Sequence, residues 1–132
     1  MTMVRIEIGR SGIHGLGCFA KEGIEAGQLV WRFDESFDLV LKKDIVEALS
    51  PGARENFLNY AFISKTTGDY ILCSDDSKFT NHSSSPNVTC FVPEGCENNE
   101  LECYATQDIL PGEEITNDYR DFDAESDSIP MD

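Results

Sequence analysis

Positive charge is scarce in this chain. Its 132 residues carry 10 Lys and Arg against 25 Asp and Glu, with two histidines and a formal net charge of -15. No direct nucleic-acid ligand is therefore expected, because neutralising phosphates takes clustered basic groups. A basic partner would be steered toward such a surface; solubility or a salt-rich habitat explains the same balance equally well. Long apolar runs are also missing, so no membrane span and no membrane partner are expected. The opening "MTMVRIEIGR" lacks the charged, apolar and small-residue regions of a signal peptide. The cytoplasm is thus the default location, with the nucleus and a secreted-effector destination as alternatives. No HxH or HExxH spacing occurs, and the five cysteines (Cys18, Cys73, Cys90, Cys96, Cys103) form no CxxC pair. Metal ligation is not expected, and in a reducing compartment the cysteines read as mostly buried thiols.

What is present is a series of short alternating segments. Residues 4–8 (VRIEI) alternate apolar and polar side chains, the mark of a half-buried strand. Further strands are expected over 18–20, 29–33, 88–92, 101–105 and 115–119, and "YAFIS" and "YILC" around "KTTGD" predict a hairpin. Residues 42–49 have helical spacing. Ser50 and Pro51, an N-cap followed by a first-turn proline, predict a second short helix to about residue 59. The Pro-Gly of "TQDILPGEE" marks a tight turn. The reading is one mostly-β domain over residues 1–122 with a short helical insertion. An acidic, loose tail is expected over 123–132, with Phe122 as an apolar handle beside it. A homo-oligomer is compatible with this organisation.

Three stretches concentrate polar chemistry. "FTNHSSSPNVTCF" sets Asn81, His82 and a row of serines beside a Pro-Asn corner. His82 and Ser83 cannot act as base and nucleophile in extended backbone, where neighbouring side chains point to opposite faces. No GxSxG elbow exposes a serine either. An asparagine amide presents both a carbonyl and an NH2, which suits a zwitterionic small molecule; on this motif alone, local turn hydrogen bonds of Asn81 and Ser83 are the preferred reading. In "GIHGLGCFA", Gly15-Leu16-Gly17 lets backbone approach a ligand closely. It is not a dinucleotide fingerprint, since no helix follows and the third glycine is missing. "PGEEITNDY" ends a strand at Tyr119, whose hydroxyl can orient an amine or accept a proton, or can simply pack.

Taken in order and with their spacing, "GIHGLGCFA", "KFTNHSSSPN" and "LPGEEITNDY" resemble the SET-domain family of protein lysine methyltransferases, over about residues 4–122. The resemblance implies a β-clip of several small sheets with a knot-like C-terminal crossing. It implies S-adenosyl-L-methionine as cofactor, contacted by His14, Gly15, Leu16 and Gly17 in the glycine loop. Asn81 and His82 would hold its methionine end and adenine, with Tyr119 and Phe122 completing the site. Tyr119 is implied to be the catalytic residue, and Asn117, Cys90 and Phe91 to line the substrate channel. Asn117 stands where relatives often place the aromatic that controls methyl number, and Cys90 where an aromatic is frequent. No zinc-binding cysteine cluster flanks the domain, leaving Phe122 as the only aromatic of the tail. No metal is implied. The implied activity is methylation of a basic protein or lysine-rich peptide, histone-like substrates among them. The alternative is a non-catalytic module of the same shape that recognises a basic partner through its acidic surface.

Overall fold

The strands of this protein are two to five residues long, so they assemble as three small sheets rather than one large one. The structure is a computed structural model and describes residues 1–125. Strand β1 (Ile6–Arg10) pairs antiparallel with β2 (Leu16–Ala20), Arg10 opposite Leu16 and Gly9 opposite Gly17. The glycine loop is therefore a hairpin turn of five residues, 11–15, closed by Gly15 at φ +48°, a left-handed conformation that favours glycine. Strand β3 (Leu29–Arg32) belongs to a second sheet, and β4 (Leu39–Leu41) to a third. Helices α1 (Lys43–Ala48) and α2 (Pro51–Tyr60) follow; the Ser50 hydroxyl accepts the Ala53 N–H and Pro51 opens the first turn of α2. Strands β5 (Phe62–Ile63) and β6 (Tyr70–Leu72) complete the third sheet in the order β4-β6-β5.

The remaining strands build the site. A 3-10 turn over Asp76–Phe79 leads into β7 (Asn81–His82). Strands β8 (Val88–Phe91) and β9 (Glu102–Ala105) give the second sheet the order β3-β9-β8. Strand β10 (Glu114–Asn117) then inserts into the first sheet, antiparallel to β2 and parallel to β7, in the order β1-β2-β10-β7. Asn87, buried at the Pro-Asn corner, holds it there: its Nδ2 donates to the Glu114 carbonyl at 2.8 Å and its Oδ1 accepts the Thr116 N–H at 2.9 Å. A second 3-10 turn, Tyr119–Asp121, closes the domain. Between the sheets lies a core of Ile24, Val30, Trp31, Val88, Leu101, Ile109 and Ile115.

Several expectations shift. The strand expected over 4–8 begins at Ile6, because the residues before it pair with β3 instead: Thr2 bridges Trp31 and the Met3 N–H donates to the Val30 carbonyl. The strand expected over 115–119 ends at Asn117 as Tyr119 enters its 3-10 turn. Strands β4 and β7 were not expected; two or three residues are too few for a period to register. Beyond the expected boundary at Phe122, Asp123 bridges Ser64 and the Ala124 N–H donates to the Ile63 carbonyl at 2.9 Å. The start of the acidic segment is thus docked, and its residues 126–132 lie outside the described residues.

Cys90 and Cys103 are not free thiols. They face each other directly in the β8–β9 register, with Cα atoms 4.0 Å apart, and form a disulfide. Sequence spacing carries no trace of this, because pairing across a ladder depends on register alone. Cys18 and Cys73 are buried free thiols. Among the described residues no helix is long and apolar enough to cross a membrane.

Candidate functional site

With β10 lying between β2 and β7, the hairpin turn, the Asn-His strand and the C-terminal turn meet at one end of the first sheet. A cavity of about 420 Å³ opens there. His14, Gly15, Leu16, Asn81, Asn117, Tyr119 and Phe122 all line it, as do Trp31, Phe62, Leu101 and Ile115 from the core. Its walls are mainly apolar with a few placed polar groups, the usual character of a small-molecule site. At the rim the rings of Tyr60 and Phe79 meet edge to face at 5.1 Å, and the Lys78 Nζ lies 5.4 Å from the Phe79 ring centre.

Asn81 is buried, and its amide is directed at the hairpin turn. Nδ2 donates to the carbonyls of His14 and Leu16, each at 3.0 Å, and to Glu114 Oε2 at 2.9 Å. The Glu114 carboxylate also accepts the Ser11 hydroxyl at 2.8 Å. Ser11 Oγ in turn accepts the N–H groups of Ile13 at 2.9 Å and His14 at 3.3 Å. Gly17 permits this packing: a Cβ there would lie 2.4 Å from Glu114 Oε2 and 3.1 Å from Asn81 Nδ2.

Tyr119 donates its hydroxyl proton to the Thr80 carbonyl at 2.7 Å. Burial, with the Asp123 and Cys18 charges adding to it, pushes its phenol up to about 12. Its backbone N–H donates to His82 Nδ1 at 3.1 Å, and the two rings lie 5.2 Å apart. Nδ1 is therefore an acceptor, which places the imidazole proton of the neutral ring on Nε2. That nitrogen is buried without a partner among the described residues, and so is the side-chain Oδ1 of Asn117, the residue opposite His82 in the β7–β10 register. Arg120 hydrogen-bonds Asp118 through both Nε, at 2.9 Å, and Nη2, at 2.7 Å, which holds the Asp118 carboxyl below its ordinary range.

Not every expected residue reaches the cavity. Along β8 alternate side chains face opposite ways, so Cys90 points into the core and Phe91 outward. Phe91 is 46% exposed and stacks on Tyr104, ring centres 5.5 Å apart, on the outer face. Neither it nor Cys90 lines the cavity; Cys103, the disulfide partner of Cys90, does. Gly17 and His82 stand behind the wall rather than on it. Phe122 is 9% exposed and packs edge to face on Phe62 at 5.0 Å, making it part of both core and cavity. Thr80, Ser11 and Glu114 were not singled out from the sequence. Glu114 lies inside the quoted Gly-Glu-Glu motif, whereas Thr80 contributes only its carbonyl, which no side-chain pattern advertises. Among the described residues no group of three or more His, Cys, Asp or Glu is placed to hold a metal ion.

The SET domain family matches residues 15–120. A Schizosaccharomyces pombe protein, "Histone-lysine N-methyltransferase, H3 lysine-4 specific", is 26% identical over 130 residues, 96% of this chain and 14% of its own length. Homo sapiens histone-lysine N-methyltransferase 2B is 29% identical over 123 residues, 84% of this chain and 4% of its own. The chain thus spans a small part of the curated relatives it matches. Among solved structures, Chaetomium thermophilum Polycomb Repressive Complex 2 shares the fold at a TM-score of 0.68 and 21% identity, over 94% of this chain and 17% of that one. A structure described as ctPRC2 in an autoinhibited conformation bound to S-adenosylmethionine gives 0.67 and 22%, over 94% and 16%.

Proposed function

The chain belongs to the SET domain family, and from that premise we propose that it is an S-adenosyl-L-methionine-dependent protein lysine N-methyltransferase acting on a basic protein or lysine-rich peptide. One arrangement carries the reading: a neutral, fixed phenol at Tyr119 shares a single apolar cavity with the hairpin turn of residues 11–15.

The residues fit the cofactor. A cavity of about 420 Å³ is of the size that small-molecule sites occupy, and Asn117, one of its lining residues, carries a buried Oδ1 with no partner among the described residues. His14, Gly15 and Leu16 would contact the bound molecule through the turn, Asn81 would hold that turn in place, and Phe122 would supply an apolar wall. When bound, S-adenosyl-L-methionine supplies a methyl group already activated on a sulfonium centre. The protein then has mainly to position an amine. The Tyr119 hydroxyl hydrogen is engaged in its bond to the Thr80 carbonyl, so its oxygen lone pairs are free to accept an N–H from the incoming lysine and direct the nitrogen. Its own acidity is too low for it to serve as a base at neutral pH. The lysine must arrive uncharged although its free pKa is about 10.4, and the apolar walls of Trp31, Phe62 and Phe122 disfavour the ammonium form.

The net charge of -15 supports a cationic substrate. The names of the relatives, histone-lysine methyltransferases, make histone-like tails the first substrates to try. The test is mass spectrometry of basic protein mixtures after incubation with methyl-labelled cofactor. Label on lysine is expected. Cofactor binding without transfer to any lysine would instead favour the non-catalytic module, and no binding of cofactor by the folded chain would overturn the reading.

A further inference from the structure

We infer that Glu114 is a positioning residue for the cofactor: its carboxylate clamps both ends of the hairpin turn that forms one wall of the cavity. The inference rests on the function proposed above and adds to it a residue that does not line the cavity.

The clamp follows from counting protons. Ser11 Oγ accepts two backbone N–H groups, from Ile13 and His14, which organises the start of the turn. Its one proton is then left for Glu114, at 2.8 Å from both carboxylate oxygens. At the other end of the turn, Asn81 Nδ2 donates to the His14 and Leu16 carbonyls and to Glu114 Oε2. Both neighbours of the carboxylate are therefore donors. Oε2 lies within reach of both donors and Oε1 of Ser11 as well, while the Asn81 NH2 spreads its two hydrogens over three acceptors, so the carboxylate receives the donors with either oxygen and opposes none of them. Gly17 closes the arrangement, because any side chain there would begin 2.4 Å from Glu114 Oε2. The anchor itself is rigid: Glu114 opens β10 opposite Phe19 of β2, and its carbonyl is held by Asn87. His14, Gly15 and Leu16, at the junction of the turn and β2, are exposed, and without the clamp a bound cofactor would have to order them at an entropic cost.

Glutamine at this position keeps the shape and one acceptor, but its NH2 must face either the Asn81 amide, donor against donor, or the Ser11 oxygen, whose lone pairs already take the Ile13 and His14 N–H groups. Glu114→Gln is thus expected to raise the dissociation constant for S-adenosylhomocysteine, the demethylated product, by about tenfold or more, the scale of a charge-assisted hydrogen bond lost. Ser11→Ala, at the exposed side of the same network, should weaken binding in the same direction. The double variant should be little worse than the weaker single one, because both cut one network. Amide hydrogen exchange at Ile13 and His14 should quicken in each variant, with or without cofactor, while the melting temperature moves little. A purely structural glutamate would lower the melting temperature, leave affinity in the folded fraction alone and give additive effects. Affinity within twofold of wild type in both single variants, with unchanged exchange at Ile13 and His14, would sink the inference and leave the proposed function standing. If wild type binds no cofactor, the proposed function and this inference fall together.

Discussion

The Tyr119 hydroxyl donates a hydrogen bond to the main-chain carbonyl of Thr80, 2.7 Å away, across the gap between the C-terminal turn and the segment leading into β7. The bond leaves the phenol oxygen as an acceptor facing the cavity. Tyr119→Phe removes that acceptor while keeping the ring contacts to His82 and Phe122. Methylation should slow about 10²-fold or more, the usual scale for a positioned catalytic group. Stability should fall by only about 1 kcal/mol, for the Thr80 carbonyl left without its donor. Rate and melting temperature on this one variant decide the matter; a rate within a factor of two of wild type would remove Tyr119 from the mechanism.

The same burial has a pH signature. The folded phenol titrates at about 12, above the ordinary value of 10, so the native state holds its proton more tightly than the unfolded chain does. Its contribution to stability is complete below pH 10 and is lost as pH climbs from there toward 12. Spectrophotometric titration should show a late phenolate from this residue. Tyr119→Phe should abolish that phase and no other.

Asn117 bears on the product. A neutral primary amine has two hydrogens to give, a monomethyl amine one and a dimethyl amine none. Tyr119 Oη and the unpartnered Asn117 Oδ1 would be the two acceptors beside the nitrogen. Each methyl added then removes a hydrogen bond from the next encounter. Monomethyl product should lead and trimethyl product should trail, as read by mass spectrometry on a single-lysine peptide. Asn117→Ala should narrow the gap between first and later transfers by about tenfold. An unchanged product ratio would show that Asn117 does not touch the amine.

Two glycines of the hairpin should respond differently to one methyl group. Gly15→Ala meets nothing within 4 Å and suffers only its φ of +48°, about 1–2 kcal/mol of local strain. Gly17→Ala drives a methyl into the Glu114 carboxylate and the Asn81 amide together. Calorimetry with S-adenosylhomocysteine should find the second variant at least tenfold weaker than the first. Equal affinities would mean that the carboxylate swings aside at no cost.

Thiol counting checks the disulfide. In denaturant without reductant, Cys18, Cys73 and Cys96 should react, and all five cysteines after reduction. In the folded protein Cys96 should react first. Burial pushes Cys18 up to about 11 and Cys73 to about 12, leaving little thiolate at neutral pH. Five reactive thiols before reduction would count against the Cys90–Cys103 bond.

Local signals survived the passage from sequence to structure, and register did not. Ser50 and Pro51 announced α2 because capping is settled within one turn. The Gly-x-Gly, Asn-His and Asp-Tyr stretches could be picked out as a set because their order and spacing are properties of the chain itself, and the fold does bring His14, Asn81 and Tyr119 to one cavity. The partners of each residue were another matter. Asn81 looked like an amide awaiting a ligand, yet its donors go to His14, Leu16 and Glu114, groups far away in sequence. Whether Cys90 or Phe91 faced inward turned on a single step along β8, and the bond from Cys90 to Cys103 on the ladder register. The two-residue strand β7 exists only because β10 comes to lie beside it.

Strand β10, the last among the described residues, lies inside its sheet, and among those residues β2 and β7 share no ladder except through it. The Asn81 amide reaches the His14 and Leu16 carbonyls directly, but the backbone ladder that fixes the hairpin turn and the Asn-His segment at a common distance forms only once that strand lies between them. Closing that gap means bringing together positions near the two ends of the chain, a slow kind of contact for a folding polypeptide. The binding cavity is in this sense a certificate of completion: a chain that has formed every earlier sheet, but not yet threaded its last strand, has no site at all.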